Sequence, residues 1–158
     1  MVTSVYRKIL EDICTLADIP ASSLMYQDVN LTVDRVDFTI RDATQGEEHA
    51  LALYCDFGPL PSTAREQVLE RLLQVNLATH GPNAPLFAQN PENGHVLLAR
   101  RVVLARLRAL DVMNLLAEHA THARQWRNGY YLRDDKTAAR GKSRTHLLLA
   151  SAGGLQRG

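Results

Sequence analysis

The residues with the clearest potential for chemistry are two histidines in the segment Glu118-His119-x-x-His122. A three-residue spacing places two side chains about 60° apart around a helix, so both imidazoles can face one metal ion such as Zn²⁺. A zinc site needs three or four protein ligands, and no further ligand is spaced to complete this pair. His119 borders the apolar face of the predicted helix and His122 lies on its polar side. We therefore interpret the pair as solvated surface and predict no metal site.

Other catalytic signals are absent from the sequence. It contains no GxSxG, GxxxxGK[ST] or HExxH motif and no GxGxxG after a predicted strand. Cys14 and Cys55 are far apart with no CxxC spacing, which predicts small core residues. Arg100 and Arg101 are adjacent in a predicted strand, so one points to each face; we expect one to face solvent and the other to pair with a carboxylate. The lone Trp126 is predicted to anchor the core. We expect no enzyme activity and no cofactor.

Hydrophobic patterning predicts the elements that position these residues. Apolar residues repeat with helical spacing in three segments and alternate in five others. The helices are predicted over 3–19, 62–79 and 108–129, and the strands over 30–33, 36–41, 50–57, 86–89 and 95–103. The order is αβββαββα, with Asp34 and Arg35 in a tight turn of a three-stranded meander. Antiparallel hairpins with helices packed against them predict a single-domain α+β fold.

The centre of the chain, 57–77, is a strand-to-helix junction. Pro59 and Pro61 disfavour helical geometry just before them, so the strand must end and the helix begins near Ser62. Thr63 and Glu66 have the spacing of a capping box, in which each side chain accepts a hydrogen bond from the other residue's backbone. We therefore predict a capped helix start at this position.

The helix that follows has an unusually wide apolar arc. Its members are Leu69, Leu72, Leu73 and Leu77, widened by Val68 and Val75. The arc spans roughly half the circumference, more than one buried face needs. One side can lie on the chain's own sheet, and the other is expected to meet a second helix or a second subunit; the alternative is that the first and third helices cover both sides within a monomer. Asn76, inside the arc, is predicted to hydrogen-bond a nearby loop backbone.

Length and composition are those of a soluble globular protein with one domain. The chain has 158 residues, of which 46% are hydrophobic and 22% charged. No N-terminal run of 7 to 15 apolar residues suggests a secretory signal, and no run approaches the 18 residues of a membrane span. We expect a cytoplasmic protein.

The net charge of +1 conceals an asymmetry between the body and the C-terminal end. Residues 133–158 hold six basic and two acidic residues, so they carry about +4 and residues 1–132 about −3. The mildly acidic body argues against nucleic-acid binding, which favours a concentrated basic face. We predict one domain over 1–132 and a flexible basic tail over 133–158.

Several segments resemble the Tir-chaperone-like (CesT-like) family, the class I chaperones of bacterial type III secretion. The resemblance covers residues 1–132 and includes the order of elements. Its motifs lie at 51–58 (LALYCDFG), 59–61 (PLP), 72–77 (LLQVNL), 81–87 (GPNAPLF), 90–94 (NPENG), 102–107 (VVLARL) and 123–126 (ARQW).

The resemblance implies a cytoplasmic bacterial homodimer that binds the N-terminal segment of a secreted effector, keeps it soluble and presents it to the secretion ATPase. An alternative with the same fold is a regulatory adaptor that sequesters a transcriptional regulator or a component of the secretion apparatus. Carried over, the dimer interface would include Val68, Leu69, Leu72, Val75 and Leu86. The effector-binding residues would be Val5, Ile9, Ile13, Leu31, Phe38 and Ile40, although some of these must be core. β-Augmentation at a strand edge is a reasonable mode for binding such a segment.

Overall fold

The protein is described by a computed structural model covering residues 1–21 and 26–132. The elements in chain order are α1 (Ser4–Leu16), β1 (Val29–Val33), β2 (Val36–Asp42), β3 (Ala50–Pro59), α2 (Arg65–Ala78), β4 (Leu86–Gln89), β5 (His95–Val103) and α3 (Ala109–Arg127). The predicted order αβββαββα and the α+β class are confirmed. The predicted tail, 133–158, lies outside the described residues.

The five strands form one antiparallel sheet in the order β1-β2-β3-β5-β4. The first three strands make the predicted meander. Asp34 and Arg35 turn the chain between β1 and β2 with φ values of 50° and 64°, the left-handed geometry that matches the twist of a tight hairpin. The two edges of the sheet are therefore β1 and β4.

The core lies between one face of the sheet and helices α1 and α3. Strand residues alternate, so Phe38, Leu53 and Leu98 point towards the helices whereas their neighbours point to the open face. Trp126 is fully buried and packs against the ring of Phe57 at 5.8 Å, which confirms its role as a core anchor. Both cysteines are free and buried, also as predicted.

The start of α2 differs from the prediction. The helix begins at Arg65, and Ala64 stands before it with φ 59° and no side-chain hydrogen bond to the free amides. The predicted capping box of Thr63 and Glu66 is therefore wrong. The chain bends through 62–64 after Pro61, and this bend brings alanine, which has no side-chain acceptor, to the capping position.

The end of α1 also falls earlier than predicted. The helix stops at Leu16, and Asp18 adopts a left-handed conformation with φ 55° before Pro20 is reached. Leu16 and Ile19 are consequently exposed at 55% and 45%.

In the described part of the chain, no helix is both long and apolar enough to span a membrane.

We predict that the buried hydroxyl of Tyr6 stabilises the contact between α1 and the sheet. Tyr6 Oη donates a hydrogen bond of 3.0 Å to the carbonyl oxygen of Ile40. Tyr6→Phe removes the donor and leaves that carbonyl partly unsatisfied, so the free energy of unfolding should fall by about 1 kcal/mol. Urea denaturation measures this change. Tyr54→Phe is the matched control, because the Tyr54 ring is half-exposed on the open face, and its stability should be unchanged; an equal loss in both variants would contradict the assignment.

Candidate functional site

Helix α2 is attached to the edge strand β4 by the side chain of Asn76. Its Nδ2 donates to the carbonyl oxygen of Phe87 at 3.0 Å, and its Oδ1 accepts from the Phe87 N–H at 2.7 Å. These are outward-facing backbone groups that an edge strand leaves unpaired. The predicted structural role of Asn76 is confirmed, and its backbone partner belongs to a strand instead of a loop.

The outward side of α2 leaves large apolar side chains in water. Leu73 is 68% exposed and Leu77, one turn later, is 81% exposed. Leu86 on β4 is 52% exposed and precedes the Phe87 that Asn76 holds. We call Leu69, Leu73, Leu77 and Leu86 the outer α2 surface. The alternative that α1 and α3 cover both sides of α2 within one chain is wrong, because neither helix shields Leu73 or Leu77 from solvent.

The residues predicted for a dimer interface divide between the inner and outer sides of α2. Val68 and Leu72 are buried, at 0% and 5% exposure, and belong to the core of the single chain. Leu69 and Val75 are half-buried, and Leu86 is exposed. The hydrophobic arc is therefore as wide as predicted, but its outward half is centred on Leu73 and Leu77.

The residues predicted to bind an effector divide in a similar way. Ile9, Ile13, Phe38 and Ile40 are buried in the core at 0–8% exposure. A peptide reaches them only if α1 moves away from the sheet. Val5 and Leu31 are half-buried at the margin of that core. Leu31 lies on β1, whose outer backbone edge is uncovered by any described strand. We call Leu31 and the β1 backbone the β1 edge surface; Val5 lies on α1 at the margin of the same core.

Two exposed leucines that the predicted sites omitted meet between α1 and α3. Leu16 and Leu110, 55% and 49% exposed, line a shallow groove together with Asp12 and Arg108. Leu16 was visible in the sequence as part of the apolar face of α1. Leu110 gave no such signal, because its exposure depends on where α3 begins relative to α1.

The open face of the sheet is polar and internally paired. Arg101 bonds the carboxylate of Glu48, as the sequence predicted for one of the two adjacent arginines. Asp56 and His95 are joined at 2.9 Å across β3 and β5. Arg101 and His95 thus each have a carboxylate partner on this face.

Arg100 and His119 lie on the helix-covered face, contrary to prediction. Arg100 pairs across the sheet with Leu53 and is half-buried, so it is not the solvent-facing arginine that was expected. His119 is only 4% exposed, so the interpretation of the two histidines as solvated surface is wrong for this one. Burial, with smaller contributions from Arg100 and His122, lowers the pKa of His119 to about 3. No group of three metal-ligating side chains occurs in the described residues.

The geometry defines a class of protein. A sheet with an open strand edge, and a helix that exposes leucines beside the opposite edge, are typical of proteins that bind other polypeptide chains. The model of the Tir chaperone protein (CesT) family matches residues 30–127, which run from β1 to the end of α3. The chain belongs to the Tir chaperone protein (CesT) family.

Solved structures with the same fold include a chaperone–effector complex and two other protein complexes. The chain is similar to a chain of the ExsC–ExsE complex, with a TM-score of 0.61 and 20% identity over 85% of this chain and 100% of that one. It is similar to a chain of the HopA1–SchA chaperone–effector complex (TM-score 0.60, 15% identity, 78% and 94% covered). A third is the ExoT–SpcS complex from Pseudomonas aeruginosa (TM-score 0.52, 22% identity, 78% and 97% covered). No curated protein gives a significant match in sequence.

We predict that Asn76 contributes measurably to the attachment of α2. Asn76→Ala removes both bonds to Phe87 and leaves two backbone groups without partners, so unfolding should require about 1–3 kcal/mol less free energy. Chemical denaturation monitored by the fluorescence of Trp126 measures the loss. Gln74→Ala, an exposed position on the same helix, is the control and should change stability by less than about 0.5 kcal/mol. Equal stability of the two variants would contradict the role of Asn76.

Proposed function

We propose that the protein is a type III secretion chaperone that binds the N-terminal segment of a secreted effector and keeps it soluble and competent for secretion. The observation that carries the proposal is the family match over 30–127, which spans the whole sheet and two of the three helices. The chaperone–effector complexes among the similar structures support it. On this proposal the protein acts by binding, in the bacterial cytoplasm, and presents its cargo to the secretion ATPase.

The outer α2 surface is proposed as the contact between two copies of the chain. Leu73, Leu77 and Leu86 expose more than half of their surface, and burying each leucine is worth roughly 1.5–3 kcal/mol. A two-fold axis beside α2 would pair this surface with itself, as a closed symmetric dimer requires. Of the residues predicted for the interface, Leu69, Val75 and Leu86 can contribute directly. Val68 and Leu72 contribute indirectly, because their burial in the core holds α2 in place.

The β1 edge surface is proposed as the binding place of the effector segment. An extended peptide can pair with the free backbone edge of β1 and place alternate side chains against Leu31 and Val5. Backbone hydrogen bonds give affinity without demanding a particular sequence, and the apolar positions select among peptides. Ile9, Ile13, Phe38 and Ile40 would form the buried floor beneath this site and be reached only if α1 shifts.

The dimer proposal predicts that an acidic residue at the most exposed leucine separates the copies without unfolding them. Leu77→Asp places a charge on a surface that must be dry in a dimer, so the dissociation constant should rise by about 100-fold or more. Analytical ultracentrifugation from 1 to 100 µM measures the oligomeric state, with circular dichroism to confirm the fold.

Gln74→Asp is the matched control, because it adds the same charge at an exposed polar position of α2. A dimer in the control and a folded monomer in Leu77→Asp support the proposal. A Leu77→Asp dimer of unchanged affinity would place the interface elsewhere. Leu72→Asp is unsuitable, because Leu72 is a core residue and the variant would fail to fold.

The effector proposal predicts that Val5 contributes to cargo binding. Val5→Asp should lower the affinity for the N-terminal segment of a secreted protein encoded beside this chain by about tenfold or more, because the charge faces an apolar contact. Isothermal titration calorimetry with that segment gives the affinity. Ser4→Asp, exposed on the same turn, is the control and should bind as the unmodified chain does.

Equal binding by Val5→Asp and Ser4→Asp would contradict this placement of the cargo. Failure of every secreted protein encoded nearby to bind would contradict the chaperone proposal itself. If the bound partner is instead a transcriptional regulator or a component of the secretion apparatus, the regulatory alternative holds. The identity of the partner therefore separates the two functions.

A further inference from the structure

A small, mixed-polarity cavity lies between α2, α3, β4 and β5. Its volume is about 30 Å³, enough for about two water molecules. Aromatic and aliphatic side chains, among them Phe57, Phe87 and Leu98, form its apolar walls. Its polar lining comes from four parts of the chain, the end of α2, β5, α3 and the segment after α3: Thr79, Arg100, His119, His122 and Tyr131.

The first of these polar groups is the imidazole of His119, which is buried without hydrogen-bond partners in the described chain. The side chain is only 4% exposed, yet neither Nδ1 nor Nε2 has a hydrogen-bond partner among the described residues. A neutral imidazole has one donor and one acceptor, and a buried polar group without a partner costs free energy. His119 therefore lines the cavity with ring nitrogens that no described residue satisfies.

Arg100 brings a positive charge to the same cavity without a matching negative one. Its guanidinium is half-buried and makes no salt bridge or hydrogen bond with any described residue. Glu118 interacts with it at longer range, which opposes the effect of burial on the pKa of Arg100. Elsewhere in the described chain, Arg41, Arg101 and Arg124 all have carboxylate partners. Among the described residues, the half-buried Arg100 therefore has no carboxylate in direct contact.

We propose that this cavity is a binding site for one carboxylate group, held by the guanidinium of Arg100 and by an N–H of His119. A guanidinium donates two parallel hydrogen bonds to a carboxylate, and an imidazole N–H adds a third. The carboxylate belongs either to an acidic side chain of a bound protein or to a free small acid. The proposal does not rest on the chaperone function.

The composition of the cavity favours this ligand over others. A metal cation would be repelled by Arg100, and two histidines without a carboxylate do not complete a cation site. The two oxygens of a carboxylate match the available space and the donors.

Occupation by an anion should couple to the protonation of His119. The charged and titratable groups around this imidazole are Arg100 from β5, His122 from α3 and Tyr131 beyond α3. The Cys55 thiol lies against the backbone carbonyl of His119 instead. Without a ligand, burial and the charge of Arg100 keep the ring neutral at pH 6. A carboxylate beside the ring favours the charged form, so an occupied cavity should raise the pKa of His119, while the ring at pH 6 stays neutral and offers an N–H to the ligand.

The test uses the full chain and formate, which stays ionised down to about pH 4.5. Side-chain ¹H–¹⁵N spectra of the histidines are recorded at pH 6 during a formate titration, with chloride at equal ionic strength as the reference. The expected result is a saturable shift of the His119 side-chain resonances in formate that chloride does not produce. A shift that is linear in concentration, or equal in formate and chloride, would overturn the proposal and assign the cavity to water.

Two variants on the same strand make the test specific. Arg100→Met keeps the length of the side chain and removes the charge, so the formate affinity should fall by about tenfold or more. Arg101→Met is the matched control, because Arg101 points to the opposite face of the sheet. In this variant, formate should shift the His119 resonances as it does in the unmodified chain. Equal responses in Arg100→Met and Arg101→Met would overturn the proposal.

A third measurement identifies the source of the carboxylate. N-acetyl-glutamate α-methylamide, whose only carboxylate is the side chain, is titrated beside formate. Saturable binding of the glutamate derivative supports an acidic side chain of a protein as the ligand. Binding of formate without the derivative supports a free small acid. Binding of neither overturns the proposal while leaving the test of the chaperone function unaffected.

Discussion

The attachment of α2 to β4 by Asn76 is the interaction on which the functional surfaces depend. Strand β4 has only four residues and lies at the edge of the sheet, so the backbone N–H and C=O groups on its outer side have no neighbouring strand in the described chain to pair with. The Asn76 amide satisfies the outward N–H and C=O of Phe87 and thereby places a helix along that edge. The same two bonds set the rotation of α2, so that Val68 and Leu72 face the core and Leu73 and Leu77 face water.

Because of this rotation, the inner and outer sides of α2 contribute to two different sites. On its inner side, Val75 and Thr79 form part of the wall of the cavity that contains Arg100 and His119. On its outer side, the exposed leucines form the surface proposed for self-association. The opposite edge of the sheet, β1, stays free for an extended peptide. Self-association and cargo binding are thus proposed at opposite edges of one sheet, where neither obstructs the other.

The sequence predicted the fold well because its elements are strongly patterned and separated by proline, glycine and Asn-Gly signals. It predicted the width of the apolar arc of α2 for the same reason. It did not predict which half of the arc is buried, because Val68 and Leu73 are equally apolar and only the bonds from Asn76 to β4 distinguish them. It placed His119 at the surface because burial of that ring depends on α3 lying over Arg100, a contact between segments distant in the chain.

The central claim is that cargo binds at the β1 edge while α2 serves self-association. Hydrogen–deuterium exchange of the full chain, free and saturated with its secreted partner's N-terminal segment, tests this most directly. The account predicts that amides of Val29–Val33 become protected in the complex and that those of Arg65–Ala78 exchange equally in both states. Protection confined to Arg65–Ala78, with Val29–Val33 unchanged, would contradict it.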